Sequence, residues 1–189
     1  DGDLDAFVGG TLRRSRYLEN VDGRFVDRSG ELIAEADLPY HVSALTAVDY
    51  DGDGLLDIYA STYTAFYVAR ALNFLAGESE EDLGTTFGDV GKADDERALE
   101  PYLAAEDFAH LHALMREGAT ANGYNSDRPG APNILLRNLG GGRFAEATDV
   151  PELRLFRNTY QTTFADIDGD GDMDFYCAND FSPNNLFRN

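Results

Sequence analysis

Tryptophan is missing from these 189 residues, lysine occurs once, at Lys92, and cysteine once, at Cys177. A single cysteine excludes an internal disulfide, and its setting in the run FYCAND reads as a small buried hydrophobe in a strand rather than a reactive thiol. No apolar run approaches the roughly 20 residues that a membrane-spanning helix requires, and no signal peptide opens the chain. The first residue instead falls inside a motif, which predicts further residues upstream. Only 15 basic residues stand against 35 acidic ones, a formal net charge of -20. That balance excludes nucleic acid and anionic membrane, which both need a positive face, and makes cations and basic surfaces the natural partners. Of the three histidines, His110 and His112 are two apart on an expected helix and point to different sides, so they make no two-histidine metal site, and His41 stands alone. There is no nucleophile elbow, no P-loop and no zinc-ligand spacing. What remains, 43% hydrophobic and 12% aromatic, is the composition of a globular chain with one sizeable core.

Aspartate, by contrast, is concentrated. The stretch Asp166 to Asp174 reads DIDGDGDMD, five carboxylates in nine residues. At about 4 to 5 Å, each such pair repels by on the order of 4 kcal/mol at an effective dielectric near 20, and a divalent cation among them relieves it. The same pattern stands at Asp49 to Asp57 as DYDGDGLLD, and its tail opens the chain as DGDLD.

These loops mark a repeat. Each ends on an aspartate (Asp5, Asp57, Asp174) and is followed by a second landmark, RYLEN ending at Asn20, NILLRN at Asn138 and NNLFRN at Asn189. The separations are 15, 81 and 15 residues, so the middle unit carries 66 extra residues; loops lie 52 and then 117 apart, and removing the 66 restores a period of 51. Within the second unit, alternation and turn residues predict four strands, near Ala44 to Val48, Leu56 to Ser61, Ile134 to Asn138 and Arg143 to Ala147. A repeated four-stranded antiparallel unit of about 50 residues is a propeller blade. The expected fold is therefore mainly β, a segment of a β-propeller with residues 1–62 and 133–189 forming blades, the first and third partial. Two and a fraction blades cannot close a ring of about four to eight, which implies a larger propeller.

The extra residues change character. Apolar spacing predicts helices over TAFYVARALNFLAG and LAAEDFAHLHALMREG, joined by an acidic connector. Residues 63–132 thus read as a helical cap inserted between the second and third strands of the middle blade. The acidic loops are first connections and the cap a second connection, so the two belong at opposite ends of the blade. His41 and Arg157, just before first strands, belong at the cap end. Tyr63, Phe66 and Tyr67 read as packing residues before they read as a ligand groove.

Calcium takes six to eight oxygens in irregular geometry, which suits side chains at loop positions 1, 3, 5 and 9 and a main-chain carbonyl at 7. The second loop offers Asp49, Asp51, Asp53, Asp57 and the Leu55 carbonyl. The third offers Asp166, Asp168, Asp170, Asp174 and the Asp172 carbonyl. A partial third site has Asp1, Asp3 and Asp5 at positions 5, 7 and 9. Gly54 and Gly171 at position 6 permit a sharp reversal. An EF-hand opens with the same D-x-D-x-D-G but needs Glu at position 12 and flanking helices, whereas Ala60 or Cys177 stands there between strands. Nine-residue calcium repeats have the wrong period, and magnesium prefers rigid octahedra. The plain alternative is a solvated acidic turn with no ion.

The sequences DIDGDGDMDFYCANDFSPNNLFRN and NILLRNLGGGRFAEATD resemble the FG-GAP or VCBS repeat of integrin α-like β-propellers, in the branch that includes cartilage acidic protein and its bacterial relatives. The resemblance covers residues 1 to about 61 and 133 to 189. The Phe-Gly and Gly-Ala-Pro signatures are absent as such, and nothing in the pattern covers the cap. It implies a seven- or eight-bladed, calcium-stabilised, extracytoplasmic propeller, secreted or on the cell surface, serving adhesion or protein contacts. The expected function is non-catalytic, with a protein or glycan partner on the cap face. The alternative is part of a calcium-dependent propeller enzyme that degrades polysaccharides, for which paired carboxylates outside the loops would be needed.

Overall fold

The computed structural model describes residues 2–10, 13–63, 104–106, 109, 113, 131–180 and 182–189. Ten strands lie in this part of the chain: β1 (Ala6–Val8), β2 (Arg16–Val21), β3 (Arg24–Asp27), β4 (Val42–Val48), β5 (Asp57–Thr62), β6 (Ile134–Asn138), β7 (Phe144–Glu146), β8 (Asn158–Ala165), β9 (Asp174–Asp180) and β10 (Asn185–Phe187). They form three sheets, ordered β1-β2-β3, β4-β5-β6-β7 and β10-β9-β8, with every strand pairing antiparallel. The four strands expected of the second unit are thus observed, within two residues at each end. The protein is mainly β and is consistent with a propeller-like segment. The helical cap expected over 63–132 lies outside the described residues apart from a few positions that define no element. β5 and β6 nevertheless pair directly, Ile58 opposite Leu136, with residues 63–133 between them.

Alternation of side chains assigns each sheet two faces. On β5 and β6, Ile58, Ile134 and Leu136 face the first sheet, where they pack with Tyr17, Phe7 and the crossing residues Ile33 and Leu38. Tyr59 and Leu135 face the other way, into a cluster with Phe175, Cys177, Phe164 and Phe187 of the third sheet. Cys177 is fully buried there, as the sequence implied. The aromatic groups meet obliquely or stacked, Tyr59 with Phe164 at 5.7 Å and Phe175 with Phe187 at 4.5 Å between ring centroids. Burying each such ring is worth on the order of 2 to 3 kcal/mol.

The segment after β3 crosses to the next sheet by laying Ile33 against Phe144 as a parallel bridge, with the Phe144 N–H donating to Leu32 O at 3.0 Å. It then enters β4, an edge strand of the middle sheet, which lies beside β8, an edge strand of the third. There Ser43 Oγ donates to Thr159 O (2.6 Å) and Thr46 Oγ1 to Thr162 O (2.8 Å). Both of these edge strands carry an irregularity at the same place, Ser43 in β4 and Tyr160 in β8. Because successive strands run antiparallel, the β4–β5 and β8–β9 connections emerge at one end of the sheets. The connection from β5 to β6 emerges at the other, together with His41 and Arg157.

Candidate metal centre

The first connections are where the aspartates gather, and main-chain amides shape them. In the second loop the Gly54 N–H donates to Asp49 Oδ2 (3.0 Å) and the Leu55 N–H to Asp53 Oδ1 (2.8 Å). In the third, the Gly171 N–H donates to Asp166 Oδ2 (3.1 Å) and the Asp172 N–H to Asp170 Oδ1 (3.0 Å), the same two bonds in the same register. Glycines at positions 4 and 6 take positive φ, 72° and 88° at Gly52 and Gly54 and 81° and 101° at Gly169 and Gly171. A Cβ there would touch nothing within 4 Å, so backbone conformation and not space demands glycine.

Two groups of carboxylates result, Asp49 with Asp51 and Asp53, and Asp166 with Asp168 and Asp174, each offering oxygens within 4.8 Å of one another. Either could hold a metal ion. One atom bears on the fit: Asp49 Oδ1 is shut off from solvent and has no hydrogen-bond partner among the described residues. An anionic oxygen left so is costly, and a cation would satisfy it. Asp57 and Asp170 stand outside the two groups, Leu55 and Asp172 lie within the loops, and Asp3 and Asp5 belong to the first sheet's loop; Asp1 falls outside the described residues.

The last aspartate of each loop has a task that the sequence did not announce. Asp57 accepts the Tyr50 N–H on Oδ2 (3.0 Å) and the Asn138 N–H on Oδ1 (2.7 Å). Asp174 accepts the Ile167 N–H (2.8 Å) and the Asn189 N–H (3.0 Å), and Asp5 accepts the Asn20 N–H (2.9 Å). The landmarks Asp and Asn recur together because one carboxylate ties the loop to the end of the third strand. Asp57 and Asp174 both have no exposed surface, yet their pKa values are shifted in opposite directions. Desolvation pushes Asp57 up, against its two amide donors and helped by the charges of Asp51 and Asp53. The Ile167 amide, with those of Asn189 and Asp168, pulls Asp174 down. Asp57 lies in the middle sheet with protein on both sides, whereas one face of the third sheet is uncovered, so burial weighs less on Asp174.

Two arginines complete the loops. Arg137 Nε lies 3.1 Å from Asp51 Oδ2, and Arg188 Nη1 lies 3.1 Å from Asp168 Oδ2. Both are the residue before the landmark asparagine, and both reach loop position 3. The R-N tail of N-x-L-x-R-N was the available signal, but its partner depends on strand register. Among the described residues no histidine joins either group: His41 is buried elsewhere, and His110 and His112 lie outside the described residues.

Against known families, the model of the FG-GAP-like repeat matches residues 1–60 and 120–177. The chain belongs to the FG-GAP-like repeat family. The match runs through all three acidic loops; it breaks off at residue 60 and resumes at residue 120, inside the expected 63–132 insertion, so the family pattern reaches further into that segment than the sequence resemblance implied. No curated protein matches the chain. Among the described residues, no helix of this FG-GAP-like protein is long and apolar enough to cross a membrane.

Proposed function

We propose that this chain is a calcium-stabilised, extracytoplasmic segment of a larger β-propeller, in the integrin α-like, cartilage acidic protein-like branch, and that it serves adhesion or ligand binding without catalysis. One observation supports the larger propeller. By the shared Asp and Asn landmarks, Tyr59 and Leu135 of the second unit correspond to Phe7 and Tyr17 of the first and to Tyr176 and Leu186 of the third. Tyr59 and Leu135 are 0% and 3% exposed against the third sheet, whereas Tyr176 and Leu186, on the same face of their own sheet, are 42% and 57% exposed. A face that is an interface twice and repeats itself a third time fits one more unit of the same kind.

Calcium is favoured over magnesium by loops that combine several carboxylates with main-chain oxygens and impose no octahedron. Ligands on exposed turns suit the weaker affinities of about 10⁻⁴ to 10⁻³ M found in extracellular modules, which fill only where calcium is plentiful. A partner, protein or glycan, is assigned to the end opposite the ions. There a cavity of about 400 Å³ is lined by Arg13, Arg14, Arg16, Asp27 and Glu35 together with Glu106 of the inserted segment. The blade repeat of about 51 residues and the division into 1–62, 63–132 and 133–189 belong to the same proposal.

Thermal unfolding tests it. In excess EDTA the melting temperature falls, and in millimolar calcium it recovers, with about two ions per chain by elemental analysis. An unchanged melting temperature with no calcium found would defeat the metal reading. Unsaturated or new reducing-end products from a glycan library would defeat the non-catalytic one.

A further inference from the structure

Each of the two loops that gathers three carboxylates already has a cation at hand, in the same place. Arg137 and Arg188 precede Asn138 and Asn189, whose main-chain amides are bonded to the last aspartate of the loop. Strand register therefore delivers both guanidinium groups to the carboxylate at position 3, each at 3.1 Å. In the first unit Glu19 stands at this position and is paired instead with Arg28 at 2.9 Å.

The contact on Asp51 is made to be surrendered. Arg137 Nε is within ion-pair distance of Asp51 Oδ2, yet it is buried and has no aligned hydrogen-bond acceptor. Its well-formed bonds are at the other end, where Nη1 donates to Asp149 at 3.0 and 3.2 Å. Leaving Asp51 thus costs one poorly aligned contact and does not strand the charge. An ion among Asp49, Asp51 and Asp53 would sit within a few ångströms of that guanidinium, and like charges so close repel strongly.

Resting on the reading that these loops bind a divalent cation, we propose that Arg137 and Arg188 are resident counter-cations of the acidic loops, displaced from Asp51 and Asp168 by the incoming ion, and that they set the loops' affinity. Without the ion, they offset the repulsion among the carboxylates and hold the loop together. With it, they oppose binding. A purely structural arginine would not act with these opposite signs.

The test is calorimetric titration of the chelator-stripped full chain with calcium chloride, alongside its ion-free melting temperature, for wild type, Arg137→Gln and Arg188→Gln. Each variant is expected to tighten calcium at one of two sites about tenfold, the effect of a modest coupling free energy, while lowering the ion-free melting temperature. Arg137→Lys is expected to fall between. Because the Arg188 side chain is 72% exposed, its variant folds even if Arg137→Gln does not. Unchanged or weaker calcium binding in Arg188→Gln overturns the proposal. Absence of calcium uptake by the wild type overturns the metal reading itself.

Discussion

His41 has no exposed surface, a φ of 53°, and no hydrogen-bond partner for either ring nitrogen among the described residues. Burial pushes its pKa from 6.5 down to about 4. The folded protein therefore keeps the ring neutral while the unfolded chain takes up a proton. Its contribution is fully present above about pH 6.5 and is lost progressively as pH falls toward 4, on the order of 3 kcal/mol in all. The third unit places Asn158, also buried, at the corresponding position. Asparagine tolerates positive φ better than other residues that carry a Cβ. His41→Asn is expected to fold and to show a shallower loss of stability between pH 6.5 and 4 than wild type, read from urea unfolding at each pH. Parallel curves would show that the aspartates alone govern acid unfolding.

At the level of strands, elements are joined by side chains that reach across sheets. Tyr59, in β5, donates its hydroxyl to Leu153 O at 2.8 Å in the segment that leads to the third sheet. Burial raises the hydroxyl's pKa well above its usual value, so it remains a donor at every ordinary pH. Tyr59→Phe keeps the ring packing and removes one of two donors to the Leu153 carbonyl, which retains the Leu155 N–H at 3.0 Å, and is expected to cost about 1 kcal/mol in denaturant unfolding. A melting curve identical to wild type would mean that the bond contributes nothing. Strands such as β5 and β6 were legible in the sequence because their alternation and flanking turns are local. The loop glycines and aspartates were legible because nine consecutive residues carry the whole pattern. The link from Asp57 to Asn138 appeared only as a recurring interval, since its chemistry, an amide donating to a carboxylate, is invisible until the hairpin closes. Arg137 on Asp51 and the irregularities at Ser43 and Tyr160 were not legible at all. They arise from register across residues far apart in the chain.

For the molecule as a whole, one position in the repeat has two fates. Leu135 is 3% exposed between sheets and Leu186, its counterpart, is 57% exposed. Leu135→Lys buries a charge without a partner and is expected to prevent stable folding. Leu186→Lys is expected to change unfolding free energy by less than about 0.5 kcal/mol in this chain. Equal destabilisation by the two would remove the ground for reading the third sheet's outer face as an unfilled junction. The junction between the second and third units is held in part by side-chain donors on main-chain acceptors. Ser43 and Thr46 of the second unit bond to Thr159 O and Thr162 O of the third, and Asn189 Nδ2 of the third bonds back to Tyr50 O at 3.1 Å. In each, the acceptor is a main-chain carbonyl, which every amino acid possesses. Copies of a duplicated unit can therefore diverge at the receiving side without losing the bond. Where both partners are side chains, as with Asn133 Nδ2 on Thr159 Oγ1 (2.8 Å) and Ser61 Oγ with Thr162 Oγ1 (3.0 Å), the two copies can change only together, so a junction of this kind combines contacts that tolerate divergence with contacts that lock a pair of neighbours to each other.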